Sequence, residues 1–334
     1  MLEGDSMKAV VLEKTCKASE LEVKEVPVPE VRPDWVLVKV LGFGINRAEI
    51  VLRDYEADED YIDLPVIPGI ECVGEVVNPS NSRFDEGDIV VGLMGGMGRS
   101  FDGSYAEYAL LPEKNLFKIP ECVFEYLLME EIISIPETYF TAFGSIRSLK
   151  LNKDDVILIR GATSAAGLSA MQIADAMGAT VIVTTRNEGK VANLLSNGAD
   201  YVVVDGGNIE DNVRDICPEG VEKVLELVGP KTLQDSMNCL KKGGICCNTG
   251  ILGGDEYISE FDPIKLIPND CYLTSFFSNY PTQEIIDEMF KFIVENDIDP
   301  KIGKLFTDLK DISHAHELME SNKAQGKIIF RLEK

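Results

Sequence analysis

With 334 residues, 45% of them apolar, the chain is long enough to bury the cores of about two domains. No apolar run approaches the roughly 18 residues of a membrane span, and no export signal is recognisable, so a cytoplasmic protein is expected. A net charge of −25 disfavours nucleic acids and membranes as partners. A polyanionic cofactor would therefore need local positive charge.

From Met7 to about residue 120, short apolar runs alternate with turn sequences. This spacing is typical of strands in a compact β-barrel or sandwich. A natural start begins at Met7, so the preceding "MLEGDS" is either an extraneous leader or a genuine short arm. The predicted strands are "KAVVLE", "LEVKEV", "DWVLVKVLGFGI", "CVGEVV", "DIVVGLM" and "SYAEYALL".

After a helix-forming stretch, "YLLMEEIISIPETYFTAFGSIRSL", the pattern changes at Asp155 to alternating apolar strands and amphipathic helices. This alternation predicts a doubly wound α/β domain, in which helices cover both faces of a parallel sheet. Its first units are "VILIRG", "AAGLSAMQIADAMG", "TVIVTTR", "GKVANLLSNG" and "YVVVD". Two helices, "PTQEIIDEMFKFIVEND" and "SHAHELMESNKA", and a strand, "KIIFRL", end the chain.

The cysteines and histidines give no metal-binding pattern. The eight cysteines form no CxxC pair, which fits reduced thiols, and Cys246 and Cys247 are interpreted as small buried hydrophobes. The two histidines, His314 and His316, fall in a helical pattern that points them to different faces. Both are therefore predicted to lie on the surface of a helix.

The loop "GATSAAG" follows the first strand of the α/β domain and leads into a helix. Ala162, Ser164 and Gly167 hold the three places that glycines occupy in the dinucleotide-binding fingerprint. The helix N-terminus still favours a phosphate, and Ser164 can add a hydroxyl. The whole loop is predicted to bind cofactor, although an ordinary turn that binds nothing is the alternative: Ala162, Thr163, Ser164, Ala165, Ala166 and Gly167. Gly167 also starts a small-residue stripe that lets the helix approach the sheet, and Gly178 is placed to cap its end.

The end of the second strand indicates which dinucleotide binds. An acidic residue would hold the ribose hydroxyl of NAD there, but no acid occurs between Ala176 and Asn187. Arg186 and Lys190, with the hydroxyl of Thr184 or Thr185, suit a 2′-phosphate instead. NADPH is therefore the predicted cofactor, with nearby Glu188 as an opposing charge.

Two further strand ends, "VG" at Val228–Gly229 and "TG" at Thr249–Gly250, lie at the carboxyl edge of the predicted sheet. Ligands bind at this edge in open α/β sheets, so these backbones are expected to line the adenosine and ribose.

Several segments together resemble the zinc-free quinone oxidoreductase and enone reductase group of the medium-chain dehydrogenase/reductase superfamily. They span almost the whole chain from Met7: "MKAVVLE", "GFGINRAEIVLRDYE", "PVIPGIECVGEV", "GSYAEYALLP", "PETYFTAF", "GATSAAG" with "ADAMGATVIVTTRN", and "HELMESNKAQGKIIF". The resemblance implies a GroES-like β-barrel catalytic domain, built from both chain ends, around a Rossmann domain. The expected boundaries are 1–128, 129–280 and 281–334. It also implies a homodimer joined near "CYLTSFFSN".

Zinc-dependent members of that superfamily carry Cys, His and Cys where this chain has Asn46, Ile70 and a position near Thr138. No four-cysteine lobe surrounds "GLMGGMGRSFDG" either. No metal is therefore expected.

The resemblance also implies roles for individual residues. Asn46 matches the asparagine beside nicotinamide and substrate, and Thr141 matches a threonine near the nicotinamide ribose. The final motif would place Asn322, Gly326 and Lys327 near the cofactor. Arg53 and Tyr55 are candidates for the border of the substrate cleft. Tyr55 would orient or protonate substrate, with a packed surface tyrosine as the alternative.

Without a Lewis acid, hydride delivery needs an easily reduced acceptor or hydrogen-bond donors aimed at the developing oxyanion. Quinones and α,β-unsaturated carbonyl compounds meet these conditions. The expected function is therefore NADPH-dependent reduction of such compounds. The alternatives are an NADPH-binding sensor without rapid catalysis and, third, a zinc-type alcohol dehydrogenase.

Overall fold

The computed structural model describes residues 5–255 and 257–332. Residues 1–4 of "MLEGDS", and with them the choice between a leader and an arm, lie outside this part. The chain divides into two compact units. The β-rich unit comprises residues 1–137, 279–294 and 299–334, and the parallel-sheet unit comprises residues 138–278 and 295–298.

In the β-rich unit, one long strand organises the main sheet. The first half of β3 (Trp35–Ile45) pairs with β6 (Tyr108–Pro112), its second half pairs with β15 (Lys327–Arg331), and β4 (Glu71–Asn78) lies on its other side. The described strands run β14-β15-β3-β4-β5-β7, and β1 and β2 form a separate antiparallel pair. Their bounds are β1 Ser6–Val10, β2 Val23–Pro27, β3 Trp35–Ile45, β4 Glu71–Asn78, β5 Ile89–Leu93, β6 Tyr108–Pro112, β7 Leu116–Lys118, β14 Ile302–Phe306 and β15 Lys327–Arg331.

The core of this unit packs around aromatic rings from distant segments. Phe43 of β3 stacks on Tyr105 and on Phe330 of β15, with ring centroids 4.8 and 5.0 Å apart. All three side chains are fully buried. This packing joins the C-terminal strand to the N-terminal sheet, so both chain ends build one core.

Short helices cover this core. Helix α9 (Gln283–Glu295) buries four apolar side chains that recur at the spacing of one helical face: Ile286, Met289, Phe290 and Ile293. The helices of this unit are α1 Arg47–Asp54, α2 Met129–Ser134, α9 Gln283–Glu295 and α10 Ile312–Glu320, and α3 Pro136–Leu149 begins in it. The unit boundary after residue 137 falls within α3.

The parallel-sheet unit confirms the predicted alternation of strands and helices. Its described strands are β8 Val156–Arg160, β9 Thr180–Thr185, β10 Tyr201–Val204, β11 Val221–Glu226, β12 Leu240–Asn248 and β13 Tyr272–Ser275. They are all parallel, in the order β10-β9-β8-β11-β12-β13, which is a doubly wound order. The helices are α4 Ala165–Ala176, α5 Val191–Ser196, α6 Glu210–Ile216, α7 Leu233–Asn238 and α8 Pro263–Leu266.

The central strands β8 and β9 are buried along nearly their whole length, because helices can cover both faces of a parallel sheet. Cys246 and Cys247 are fully buried in β12, which confirms their interpretation as small hydrophobes. Among the described helices, none is long and apolar enough to span a bilayer.

The surface prediction for the histidines is wrong for His316. The two side chains do point to different faces of α10, and His314 is exposed, but His316 is only 1% exposed. Its ring nitrogens lie 3.1 Å from the hydroxyl oxygen of Tyr105 and 3.3 Å from a guanidinium nitrogen of Arg53. These partners compensate for burial of the imidazole. Burial, helped by the charge of Arg53, lowers the pKa of His316 to about 3, so the ring is neutral.

Candidate functional site

In the β-rich unit, the candidate site centres on Asn46, between the end of β3 and the start of α1. Asn46 is the N-cap of α1, and its backbone N–H donates to the Glu49 carboxylate at 2.7 Å. A helix start needs such an acceptor, because its first N–H groups have no partner within the helix. This local bonding leaves the side chain of Asn46 available for partners elsewhere in the unit.

The Asn46 carboxamide contacts a buried ion pair. Its Nδ2 donates to Glu71 Oε1 at 2.8 Å, and its Oδ1 accepts from Lys327 Nζ. Lys327 Nζ lies 2.6 Å from the same Glu71 oxygen. The three residues are 8%, 0% and 2% exposed, respectively. We name Asn46, Glu71 and Lys327 the amide cluster.

Glu71 also connects this cluster to the beginning of α3. Its second oxygen, Oε2, accepts the backbone N–H of Glu137 at 2.7 Å. Glu137 lies in the first turn of α3, where the helix dipole stabilises negative charge. The Glu71 carboxylate is thus held from several sides.

Glu49 is a second buried carboxyl beside the cluster. It accepts the N–H of Asn46 and, at 3.1 Å, the N–H of Ile70. Burial raises the pKa of Glu49 from 4.5 to about 7, although the charge of Lys327 acts in the opposite direction. Glu49 therefore changes charge near neutral pH.

The raised pKa of Glu49 predicts a pH-dependent stability. The folded state binds the Glu49 proton more tightly than the unfolded state does, and this tighter binding stabilises the fold. The stabilisation is complete below pH 4.5 and is lost as pH rises through about 7. We expect the free energy of unfolding of the wild type, relative to Glu49→Gln, to fall by about 3 kcal/mol across this window. Urea unfolding at several pH values measures it, with Glu59→Gln, at an exposed position, as the control. A difference between wild type and Glu49→Gln that does not vary with pH would contradict the assignment.

Arg53 and Tyr55 lie at the other end of α1. Arg53 is 2% exposed, and its guanidinium contacts Asp54, Glu320 and His316. It contributes to the wall of a 570 Å³ cavity whose other lining residues are Thr15–Glu20, Asp54, Glu317 and Glu320. Tyr55 ends α1 and is half exposed. These contacts give Arg53 an ion-pairing role, and substrate contact by either residue stays a prediction.

In the parallel-sheet unit, the "GATSAAG" loop forms a tight strand-to-helix turn. Gly161 has φ +89°, which favours glycine, and a Cβ on Gly167 would lie 2.6 Å from the Cα of Ala162. Gly167, Ala170 and Ala174 are all buried, which confirms the predicted stripe. Gly178, with φ +80°, follows the end of α4 as expected.

At the start of α4, the Ser164 hydroxyl makes two local hydrogen bonds. It accepts the N–H of Gly167 at 3.1 Å and donates to the carbonyl of Gly161 at 2.9 Å. The serine is therefore the N-cap of α4, and contact of its hydroxyl with a phosphate stays a prediction. The N–H groups of Ala165 and Ala166, in the first turn of α4, have no acceptor within the helix. They remain the loop's candidates for binding an anion.

The end of β9 presents a cation with buried hydroxyls behind it. Thr184 and Thr185 are buried, and their hydroxyls contact the N–H groups of Gly161 and Asn187, respectively. Arg186 follows directly and is exposed, and Lys190 lies at the start of α5. Of this predicted set, Arg186 is exposed and Lys190 is partly buried, whereas both threonines are buried.

The strand ends at Val228–Gly229 and Thr249–Gly250 lie against each other. Gly229 has φ +98°, and a Cβ there would lie 2.5 Å from the carbonyl oxygen of Gly250. The buried Glu226 carboxylate accepts the N–H groups of Val228 and Gly229 at 2.6 and 2.9 Å. It thereby fixes the backbone after β11.

Ser145, a residue that was not predicted, connects two predicted cofactor residues. Ser145 Oγ donates to the Thr141 carbonyl at 2.7 Å and lies 2.8 Å from Thr249 Oγ1. Thr141 and Thr249 are therefore brought together through Ser145. A serine four residues after Thr141, on the same face of α3, was the available signal.

The C-terminal motif divides into two places. Lys327 belongs to the amide cluster, whereas Asn322 lies in the turn after α10 with φ +52°, and its Nδ2 donates to the Glu320 carbonyl. Gly326, with φ +127°, precedes β15. Contact of these residues with a cofactor stays a prediction.

The described residues contain no group of three or more His, Cys, Asp and Glu side chains arranged to hold a metal ion. Ile70 and Thr138, at and near positions that the resemblance assigns to zinc ligands of zinc-dependent members, are both buried.

Comparisons with known proteins agree with both units. Residues 32–121 match the model of the alcohol dehydrogenase GroES-like domain, and residues 165–295 match that of the zinc-binding dehydrogenase domain. The quinone oxidoreductase of Homo sapiens is 28% identical over 315 residues, covering 92% of each chain. The acryloyl-coenzyme A reductase of Sulfurisphaera tokodaii is 26% identical over 352 residues, covering 97% of this chain and 100% of the relative.

Among solved structures, mycobacterial Rv1454c complexed with NADPH superimposes with a TM-score of 0.82 at 23% identity. The alignment covers 98% of this chain and all of that one. At this identity the likeness concerns the fold, and it confirms the expected GroES-like unit with a Rossmann-type parallel sheet.

Proposed function

Because the chain belongs to the medium-chain dehydrogenase/reductase superfamily and is similar to its quinone oxidoreductases, we propose that it is an NADPH-dependent, zinc-independent reductase of quinones or α,β-unsaturated carbonyl compounds. The observation that carries this proposal is the carboxyl edge of β8 and β9. There, two N–H groups at the start of α4 and the exposed Arg186 suit the pyrophosphate and the 2′-phosphate of one dinucleotide.

The geometry of the loop fits a dinucleotide. Because Gly161 and Gly167 carry no Cβ, the loop backbone can turn tightly against the start of α4. A pyrophosphate site requires such a turn. Val228–Gly229 and Thr249–Gly250 form the neighbouring strand ends that would line the ribose and adenosine. When bound, NADPH supplies the hydride.

We assign Asn46 the task of donating a hydrogen bond to the substrate oxygen. One of its Nδ2 hydrogens is used by Glu71, and the other has no acceptor among the described residues. An amide donates without titrating, so it can stabilise a developing oxyanion across a wide pH range. Asn46 and Ile70 stand where zinc-dependent members of the superfamily have zinc ligands, and neither side chain is a typical zinc ligand. This favours metal-free chemistry over alcohol oxidation.

The loop after α1 favours uncharged acceptors. Its sequence "DYEADEDYID" carries six carboxylates, and five of them are exposed. Arg99 pairs with Glu56 at 2.6 Å and donates to the carbonyl of Ala48, which fixes this acidic loop against the first turn of α1. Its negative potential would repel a substrate as anionic as a coenzyme A thioester. A neutral quinone or enone is therefore the preferred class.

NADPH oxidation measured with benzoquinone, menadione, methyl vinyl ketone and acryloyl-coenzyme A tests this function. We expect turnover with NADPH on the neutral acceptors, weaker turnover with NADH, and no loss of rate after treatment with EDTA. NADPH binding without turnover on any acceptor would instead support a sensor. Activity lost to EDTA and restored by zinc would support an alcohol dehydrogenase type of site.

We further propose a cytoplasmic homodimer. Strand β13 lies at an edge of the parallel sheet, and its Tyr272 side chain is 62% exposed. Exposed sheet edges are suited to pairing with a second chain. Sedimentation equilibrium at several protein concentrations tests the dimer.

A further inference from the structure

We propose that Lys327 is a positioning residue, whose buried ammonium, ion-paired with Glu71, holds the Asn46 carboxamide in one orientation so that its remaining N–H is available to the substrate. This inference rests on the proposed function, because it assigns Asn46 a substrate to bind. Its evidence is the arrangement of the three side chains of the amide cluster.

A carboxamide has two ends of similar shape and opposite hydrogen-bonding character. Its oxygen only accepts, and its nitrogen only donates. Lys327 has donors and no acceptor, whereas an ionised Glu71 accepts only. Rotating the Asn46 amide by half a turn would place its N–H groups against the ammonium and its carbonyl against the carboxylate. Both charge-assisted hydrogen bonds would then be replaced by repulsive contacts, so the amide has one allowed orientation.

The pairing of β15 with β3 brings these distant residues together. Ile328 and Ile329 lie opposite Ile45 and Gly44, so Lys327 reaches the end of β3, next to Asn46. Gly44 makes room for the ion pair, since a Cβ there would overlap the Lys327 side chain and the Glu71 carboxylate. This space is specific to a glycine at position 44.

Stability alone is a weak explanation for this arrangement. A buried ion pair must compensate for the removal of two charges from water, and well-packed apolar residues often replace such a pair without loss. Lys327 and Glu71 are almost fully buried, yet the Lys327 ammonium also bonds the Asn46 amide. A role in fixing the donor of the site accounts for the position of that ammonium.

A double-mutant cycle tests whether Lys327 acts through Asn46. We expect Lys327→Met to lower kcat with a quinone by on the order of tenfold to hundredfold, as expected for a misplaced catalytic group, with little change in the KM for NADPH. Asn46→Ala should lower kcat similarly, and the double variant should be no slower than Asn46→Ala. Lys304→Met, an exposed lysine on the neighbouring strand β14, is the matched control. Losses that multiply in the double variant would overturn the proposal.

Lys327→Met leaves the Glu71 carboxylate buried without its cation and can unfold the protein. The variant Lys327→Met with Glu71→Gln removes both charges and avoids this problem. It should fold and still show the loss of kcat. Wild-type kcat in this folded variant would also overturn the proposal.

A spectroscopic measurement separates this inference from the proposed function. In ¹⁵N-labelled protein, the Asn46 side-chain NH₂ signal is identified by its disappearance in Asn46→Ala. We expect that signal to shift in Lys327→Met and to stay unchanged in Lys304→Met. An unshifted signal in Lys327→Met overturns the positioning role, even if the wild type reduces quinones. A shifted signal in a wild type that reduces no acceptor leaves the orientation of Asn46 supported and refutes only the proposed function.

Discussion

Replacing Arg186 and Lys190 together with alanine should raise the KM for NADPH by more than about a hundredfold and leave the KM for NADH nearly unchanged, because hydrogen bonds to charged groups contribute about 1.5–3 kcal/mol each. The two side chains follow β9 at the place where the dinucleotide fingerprint reads the adenosine ribose. NADPH carries a phosphate at that ribose and NADH does not. Initial rates with each cofactor at a fixed benzoquinone concentration measure the change.

Net charge must be controlled in this comparison, since the protein is strongly acidic. The double variant Lys153→Ala with Lys242→Ala removes the same charge from two exposed side chains. Lys153 precedes β8 and Lys242 lies near the start of β12, so both are away from the carboxyl edge of the sheet. This control should affect both cofactors little. An equal rise in KM for NADPH and NADH in the Arg186 and Lys190 variant would show that the cations do not select the 2′-phosphate. A wild type that prefers NADH would refute the cofactor assignment.

Arg160→Met should destabilise the parallel-sheet unit by about 3–5 kcal/mol, because removing one partner of a buried charge network leaves the others uncompensated. Arg160 ends β8 and is fully buried. Its guanidinium bonds Asp205 at 2.8 and 3.0 Å and Asp235 at 2.7 Å. Although burial would raise the pKa of Asp205, the hydrogen bond from Arg160 holds it below its usual value. Urea unfolding near neutral pH measures the loss.

The same guanidinium donates to the carbonyls of Gly207, after β10, and Thr232, before α7. These loops lie at the carboxyl edge, so a folded Arg160→Met protein should also bind NADPH more weakly. Lys265→Met, which removes an exposed ion pair with Asp262, is the control and should cost roughly 0–1 kcal/mol. A loss for Arg160→Met as small as that of the control would contradict a central role for the network.

Local pattern was sufficient for much of the α/β half. The apolar run "VILIRG", the small-residue stripe from Gly167 and the glycine at position 178 each act through neighbouring residues, and the structure confirms the elements they predict. In the β-rich half, the sequence predicted fewer of the observed elements. The short elements α1, β7 and β14 have no long periodic pattern, and tertiary packing decides them.

The chain by itself therefore determined the alternation of strands and helices in the parallel-sheet unit, the strand-loop-helix turn at "GATSAAG" and the basic end of β9, because these depend on side-chain periodicity and on residues close in sequence. Only the tertiary structure decided that Lys327 and Glu71 meet at Asn46, that Arg160 is buried among two aspartates, and that His316 is a core residue. A charged or polar side chain is normally predicted at the surface. Its burial depends on partners from distant segments, which strand pairing and helix packing bring within hydrogen-bonding distance.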